Sequence, residues 1–173
     1  MLLVAISPLI LTSCNKSEDI VLDFDITVPD NWIYQIRANE GLIYAAGREA
    51  TDNNDTIRES LYIVKESLPN RSLNGYYNLI RPYIVASVGH DSILYESDTV
   101  INATDFKKMI SMETQKIINM DQDTFDLSVI TDRYFFYEKE NAYNMVFISM
   151  DTLYYKQNKA IFDEIMSSFH YKN

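Results

Sequence analysis

Apolar and polar residues alternate at period two in Phe24-Asp25-Ile26-Thr27-Val28, the pattern of a half-buried strand, and Pro29-Asp30-Asn31 stops it with turn chemistry. Two β-rich runs, 41–49 and 57–66, flank the polar loop Thr51-Asp52-Asn53-Asn54-Asp55 and predict an antiparallel hairpin. Ser72 suits the N-cap of a helix with Leu73, Tyr76, Tyr77, Ile80 and Ile84 on one face, which Pro82 should kink or shorten. Ile93 to Ile101 and Phe106 to Thr114 read as strands. Arg133 to Glu140 should pair with Tyr143 to Met150 through a turn at Asn141-Ala142. Both faces of that last strand are apolar, Met145 and Phe147 on one and Val146 and Ile148 on the other, so layers should pack on each side. A final helix capped by Asp151 carries Tyr154, Ile161, Phe162, Ile165, Met166 and Phe169 along one face, with His170 and Lys172 suiting its C-terminal dipole.

Ahead of this domain, Leu2 to Leu11 form an apolar run too short to span a bilayer and of the length found at the centre of signal peptides. The run ends in Leu11-Thr12-Ser13-Cys14, which resembles the bacterial lipobox, where small residues precede a thiol that takes a diacylglyceryl group. Asn15-Lys16-Ser17-Glu18-Asp19 is a polar tether of the kind expected after it. The organisation that follows is a signal peptide at 1–13, a tether at 14–22 and one α+β domain at 23–173. The Lys or Arg that usually precedes the apolar run is missing, and a start codon assigned too late would explain this. Lys16-Ser17-Glu18-Asp19 also resembles the acidic export tag of some surface lipoproteins, so the expected address is a cell envelope, facing either the periplasm or the exterior.

Composition narrows the function classes. The 173 residues are 47% hydrophobic and 23% charged, enough for one ordinary core. With 25 acidic against 15 basic residues the net charge is -10, and Lys107-Lys108 is the nearest approach to a basic stripe. Nucleic acid is therefore an unfavoured partner. The one cysteine excludes an internal disulfide, and two histidines are too few for a His-based metal site.

Three short runs resemble the PsbP-like fold: Ile26-Thr27-Val28-Pro29-Asp30-Asn31-Trp32 its opening strand, turn and Trp; Glu66-Ser67-Leu68-Pro69 with Ser72-Leu73-Tyr76 its Leu-Pro and helix start; and Ile165-Met166-Ser167-Ser168-Phe169 its Ser-Phe close. The resemblance implies a central, mostly antiparallel sheet with helices on both faces, an α/β/α sandwich. The family includes an extrinsic protein of oxygen-evolving photosystems and many envelope lipoproteins without assigned activity, so fold says little about function. Thr114 to Asp132 is richer in Asp than the family's hairpins and longer than a tight turn.

That segment supplies the candidate partner-binding residues Met120, Asp121, Asp123, Phe125 and Asp126: acidic groups around an aromatic suit a basic patch on a partner. An EF-hand is excluded there by the missing Gly and closing Glu. Trp32, Tyr34, Tyr44, Tyr62, Tyr76 and Tyr77 serve either packing or an aromatic pocket, with Trp32 expected to pin the first turn to the sheet. Asp55-Thr56-Ile57, Asp91-Ser92-Ile93, Asp98-Thr99-Val100 and Asp151-Thr152-Leu153 resemble O-glycosylation acceptors, and each also reads as a turn or cap. Asp23 and Asp25 share a strand face. The sequence holds no nucleophile elbow, zinc-protease or phosphate-loop motif, so no cofactor and no catalytic residue is assigned. The expected function is non-enzymatic: a lipid-anchored envelope protein, modified at Cys14, that binds a protein partner or supports an envelope complex. A small-ligand or cation-binding module is the alternative, and an unrecognised hydrolase the third. A flat exposed patch would favour the first, a concave aromatic pocket the second, and convergent polar groups with shifted pKa values the third.

Overall fold

The structure is a computed structural model that describes residues 21–37, 41–48, 59–118, 124–150 and 152–172. Its strands are β1 (Phe24–Asp25), β2 (Trp32–Ile36), β3 (Gly41–Arg48), β4 (Ser60–Ser67), β5 (Ile93–Ile101), β6 (Thr104–Ile118), β7 (Thr124–Glu138), β8 (Asn141–Met150) and β9 (His170–Tyr171). Helix α1 (Leu73–Val88) lies between β4 and β5, and α2 (Thr152–Ser168) between β8 and β9. Seven strands form one antiparallel sheet in the order β2-β3-β4-β8-β7-β6-β5, and β1 pairs with β9 in a separate two-stranded ladder. The class is α+β, a large antiparallel sheet with two helices.

Two of the hairpins close through residues in the left-handed region, Asn102-Ala103 (φ 47 and 67) and Lys139-Glu140 (φ 47 and 65). Positive φ at both central positions matches the twist of the flanking strands. The second turn therefore sits ahead of Asn141-Ala142, which begin β8. The expected break between Thr114 and Asp132 is mostly strand: β6 and β7 run on until Ile118 faces Thr124. Leu127 and Val129, both buried, alternate with Asp126 and Ser128 and carry the ladder through.

Ser72 caps α1, accepting from the Gly75 N–H at 3.2 Å, and the helix continues past Pro82 to Val88, with Pro82 exposed. Gly89, at φ 90, ends it by donating to the Val85 carbonyl. His170 and Lys172 belong to the β9 segment rather than to the end of α2, which stops at Ser168. Asp151, Cys14 and the tether up to Ile20 lie outside the described residues. Among the described residues, no helix is long and apolar enough to cross a membrane.

The core divides along the strands. Tyr134 and Phe136 of β7, Tyr143, Met145 and Phe147 of β8 and Phe106 of β6 pack with Phe162, Ile165, Met166 and Phe169 at α2. Phe135 of β7, Ala142 of β8 and Met109 of β6 pack instead with Tyr76 and Tyr77 of α1. Neighbouring residues on a strand point to opposite faces, which assigns Phe135 to one face and Phe136 to the other. Trp32 is buried in the larger cluster, and its N–H bonds to the Pro29 carbonyl at 2.9 Å, closing the first turn as expected.

Candidate functional site

The expectation that layers pack on both faces of β8 meets an uneven outcome. Met145 and Phe147 are completely buried, whereas Val146 and Ile148 are only half-buried. Register explains why: Tyr62 stands opposite Val146, Val64 opposite Asn144, and Ala45 opposite Tyr62. Ala45, Tyr62, Val64, Val146 and Ile148 thus share one face, all half-buried and outside both core clusters. The helix α1 packs further along, on β6 and β7. At the edge, Ile33 lies opposite Gly47 and is exposed.

Arg133 of β7 completes this face, opposite Val146 on one side and Met109 on the other. Among the described residues its guanidinium has one hydrogen bond, Nη1 donating to Ser111 Oγ at 2.8 Å. Burial draws its pKa below the ordinary value, against the opposing field of Glu113. Asn144 Oδ1 is buried nearby without a hydrogen-bond partner among the described residues.

On the other side of the sheet a cleft of about 430 Å³ opens between 21–28 and the β2 edge. Leu22, Ile26, Val28, Ile36 and Tyr44 line it, with Tyr34, 63% exposed, stacked on Tyr44 at 5.9 Å. Burial pushes the Tyr44 hydroxyl up to about 12. The polar groups at its margin are Thr27 and the Asp25–Lys172 ion pair, 2.7 Å apart. Asp23 is engaged separately, accepting from Lys65 Nζ at 2.5 Å and Tyr143 OH at 2.9 Å, so Asp23 and Asp25 do not work as a carboxylate pair.

A third feature is a closed charge cluster. Asp132 is fully buried, 3.1 Å from Lys108 Nζ, which also bonds Tyr134 OH and lies over its ring. Tyr155 of α2 donates to Asp132 from 3.4 Å. Desolvation raises the Asp132 pKa, against the pull of Lys108. Asp132 Oδ1 and Ser149 Oγ are buried without partners among the described residues. Glu59 forms a further buried anchor, accepting from Arg48 Nε at 2.8 Å and from Asn158 of α2 at 2.6 Å.

Of the candidate residues read from the sequence, Met120, Asp121 and Asp123 lie outside the described residues, as do Asp55-Thr56-Ile57 and Cys14. Phe125 and Asp126 are on β7 and not in a loop, and Asp126 is exposed, 3.6 Å from Lys116. The aromatic set does not converge: Tyr34 and Tyr44 line the cleft, Tyr62 lies on the half-exposed face, and Tyr76 and Tyr77 pack against Phe135. Sequence reading missed Asp132 and Arg133, two charges set inside the apolar run 129–137, and that interruption was the available signal.

No family model matches the sequence, and no curated protein matches it. Among solved structures, the cyanobacterial PsbP of Synechocystis sp. PCC 6803 matches with a TM-score of 0.52 at 11% identity, covering 93% of this chain and 98% of that one. The fold is PsbP-like. LpqN of Mycobacterium tuberculosis, described as involved in cell envelope biogenesis, matches at 0.54 and 8% identity, over 87% of this chain and 83% of that one. At such identities the likeness to this PsbP-like chain is one of fold.

Proposed function

We propose that the chain is a non-enzymatic protein of the cell envelope, held to a membrane by lipid on Cys14, whose domain docks a protein partner. The observation that carries this reading is the half-exposed sheet face, where Tyr62, Val64, Val146 and Ile148 lie side by side outside both core clusters. Apolar side chains half-buried side by side on a sheet face suit a protein partner better than a small molecule. The envelope role reported for LpqN agrees with the address read from Cys14. In this reading α1 and α2 form outer layers on opposite faces of the sheet, which the alternate packing of Phe135 and Phe136 supports. Met120, Asp121, Asp123, Phe125 and Asp126 serve as a secondary acidic contact. Asp132, whose pKa desolvation raises, is completely buried and bonded to Lys108, and so fits a structural role.

A second reading, a small apolar ligand, is favoured by the cleft at Tyr34 and Tyr44, whose volume falls in the range of small-molecule sites, about 300–1,000 Å³. Recovery of partners from native envelope by wild type, Tyr62→Asp and Tyr34→Asp separates the two. The leading reading expects loss with Tyr62→Asp alone.

A further inference from the structure

We infer that the outer edge of the large sheet pairs with the same edge of a second copy of this chain, β5 against β5, antiparallel and in register about Ser97. This surface is separate from the half-exposed face, and the inference goes beyond partner docking there. Strand β5 ends the sheet, and among the described residues its one ladder is with β6. Along its nine residues the main-chain N–H and C=O groups of alternate positions point away from β6, where a further strand can take them up. Three apolar side chains on this strand are more than half exposed: Leu94 (52%), Tyr95 (51%) and Val100 (65%). The register shift between Ile93 and Tyr95 leaves Leu94 with no residue opposite it on β6.

The order of residues selects a second copy. Ile93-Leu94-Tyr95-Glu96-Ser97-Asp98-Thr99-Val100-Ile101 has the same sequence of chemical types from either end, with Ser97 at its centre. A two-fold axis through Ser97, perpendicular to the sheet, sets Leu94 opposite Val100 of the second copy, Tyr95 opposite its Thr99 and Glu96 opposite its Asp98. The exposed apolar residues then cover one another, and an aromatic meets a β-branched residue, pairs that stabilise neighbouring strands. The facing acids oppose pairing, but each brings its own base. Glu96 accepts from Arg81 Nε at 2.8 Å and Nη2 at 3.0 Å, and Asp98 from Lys107 Nζ at 2.5 Å. These four side chains sum to zero in each copy, within a chain whose net charge of -10 repels its own kind elsewhere. An unrelated strand would gain the main-chain hydrogen bonds alone, whereas the second copy also matches the side chains.

One strand from each copy makes a small interface, below about 1,200 Å², so the dimer should be weak and reversible. Sedimentation equilibrium of the full chain, over a concentration series reaching about 1 mM, should show monomer passing to dimer and stopping there, because a two-fold contact closes. Hydrogen exchange across 93–101 should slow as dimer forms. Val100→Lys, which places a charge on an exposed edge position, should weaken the dimer at least about tenfold with the thermal midpoint near wild type. If that variant fails to fold, Leu94→Lys should do the same. Monomer at every concentration, or growth past the dimer, would overturn the inference. So would a dimer that both Lys variants leave intact and that gives β5 amides no protection, since another surface would then form it. Slowed exchange at β5 in native envelope alone, with the purified chain monomeric, would assign the edge to a different protein and overturn it too. None of these outcomes bears on Tyr62→Asp, so docking on the sheet face stands or falls separately.

Discussion

The side-chain amide of Asn102 donates to the main-chain carbonyl of Phe169 at 2.7 Å and also to that of Ser167 at 2.9 Å, fastening the β5–β6 turn to the end of α2. Helix ends leave carbonyls without intrahelical donors, and here a turn on another element supplies them. Asn102 also holds a φ of 47, which asparagine tolerates better than most residues. Asn102→Ala should cost about 1–3 kcal/mol in denaturant unfolding. Asn102→Gly keeps the backbone freedom and loses the amide, so a cost near that of Ala assigns the effect to the hydrogen bonds.

The last helix should be structural. Ile165 is 1% exposed within the larger core cluster, and Ile165→Ala should lose about 2–5 kcal/mol by the same assay. A loss of a few tenths would show that the helix is loosely held.

Lys108 and Asp132 should behave as a unit. Lys108→Met or Asp132→Leu alone strands a buried charge, each costing about 3–5 kcal/mol. The double variant should cost much less than the sum, since two apolar side chains replace a desolvated pair. Additive losses in the double-mutant cycle would contradict this coupling.

Two carboxylates should bend the pH profile in opposite senses. The hydrogen bond from Lys65, aided by Tyr143, lowers the folded pKa of Asp23 against the cost of burial. Its contribution is present above the unfolded value, about 3.9, and is lost as pH falls through the folded one. Burial raises Asp132, so the folded state favours its protonated form and stability falls as pH climbs from the unfolded pKa through the folded one. Asp23→Asn should flatten the acid limb of the stability curve, and Asp132→Asn should flatten the limb just above it. Unchanged curves in both variants would refute the assignment.

How much of this was legible depended on whether the cause was local. Ile93–Ile101 and the apolar stripe of α2 follow from spacing along the chain and appear as expected. Strand β2 was not anticipated, because Ile33, Tyr34 and Gln35 are consecutive exposed residues at a sheet edge and show no alternation. The β7–β8 turn falls on Lys139-Glu140, which lack the Asn or Gly that announces such turns. The two-residue ladder of β1 with β9 has too little length to leave a pattern. The candidate face was beyond sequence reading for a similar reason: Tyr62, Arg133 and Val146 are neighbours only through the pairing of β4, β8 and β7.

The central claim is that the half-exposed sheet face docks a protein partner. Quantitative crosslinking in native envelope, comparing wild type with Tyr62→Asp at matched thermal stability, tests it most directly. Half-buried Tyr62 contributes little to either core cluster, so folding should survive while an aspartate desolvated at the interface removes binding. The account predicts at least about a tenfold fall in partner recovery, equivalent to about 1.4 kcal/mol of binding; undiminished recovery by the folded variant would contradict it.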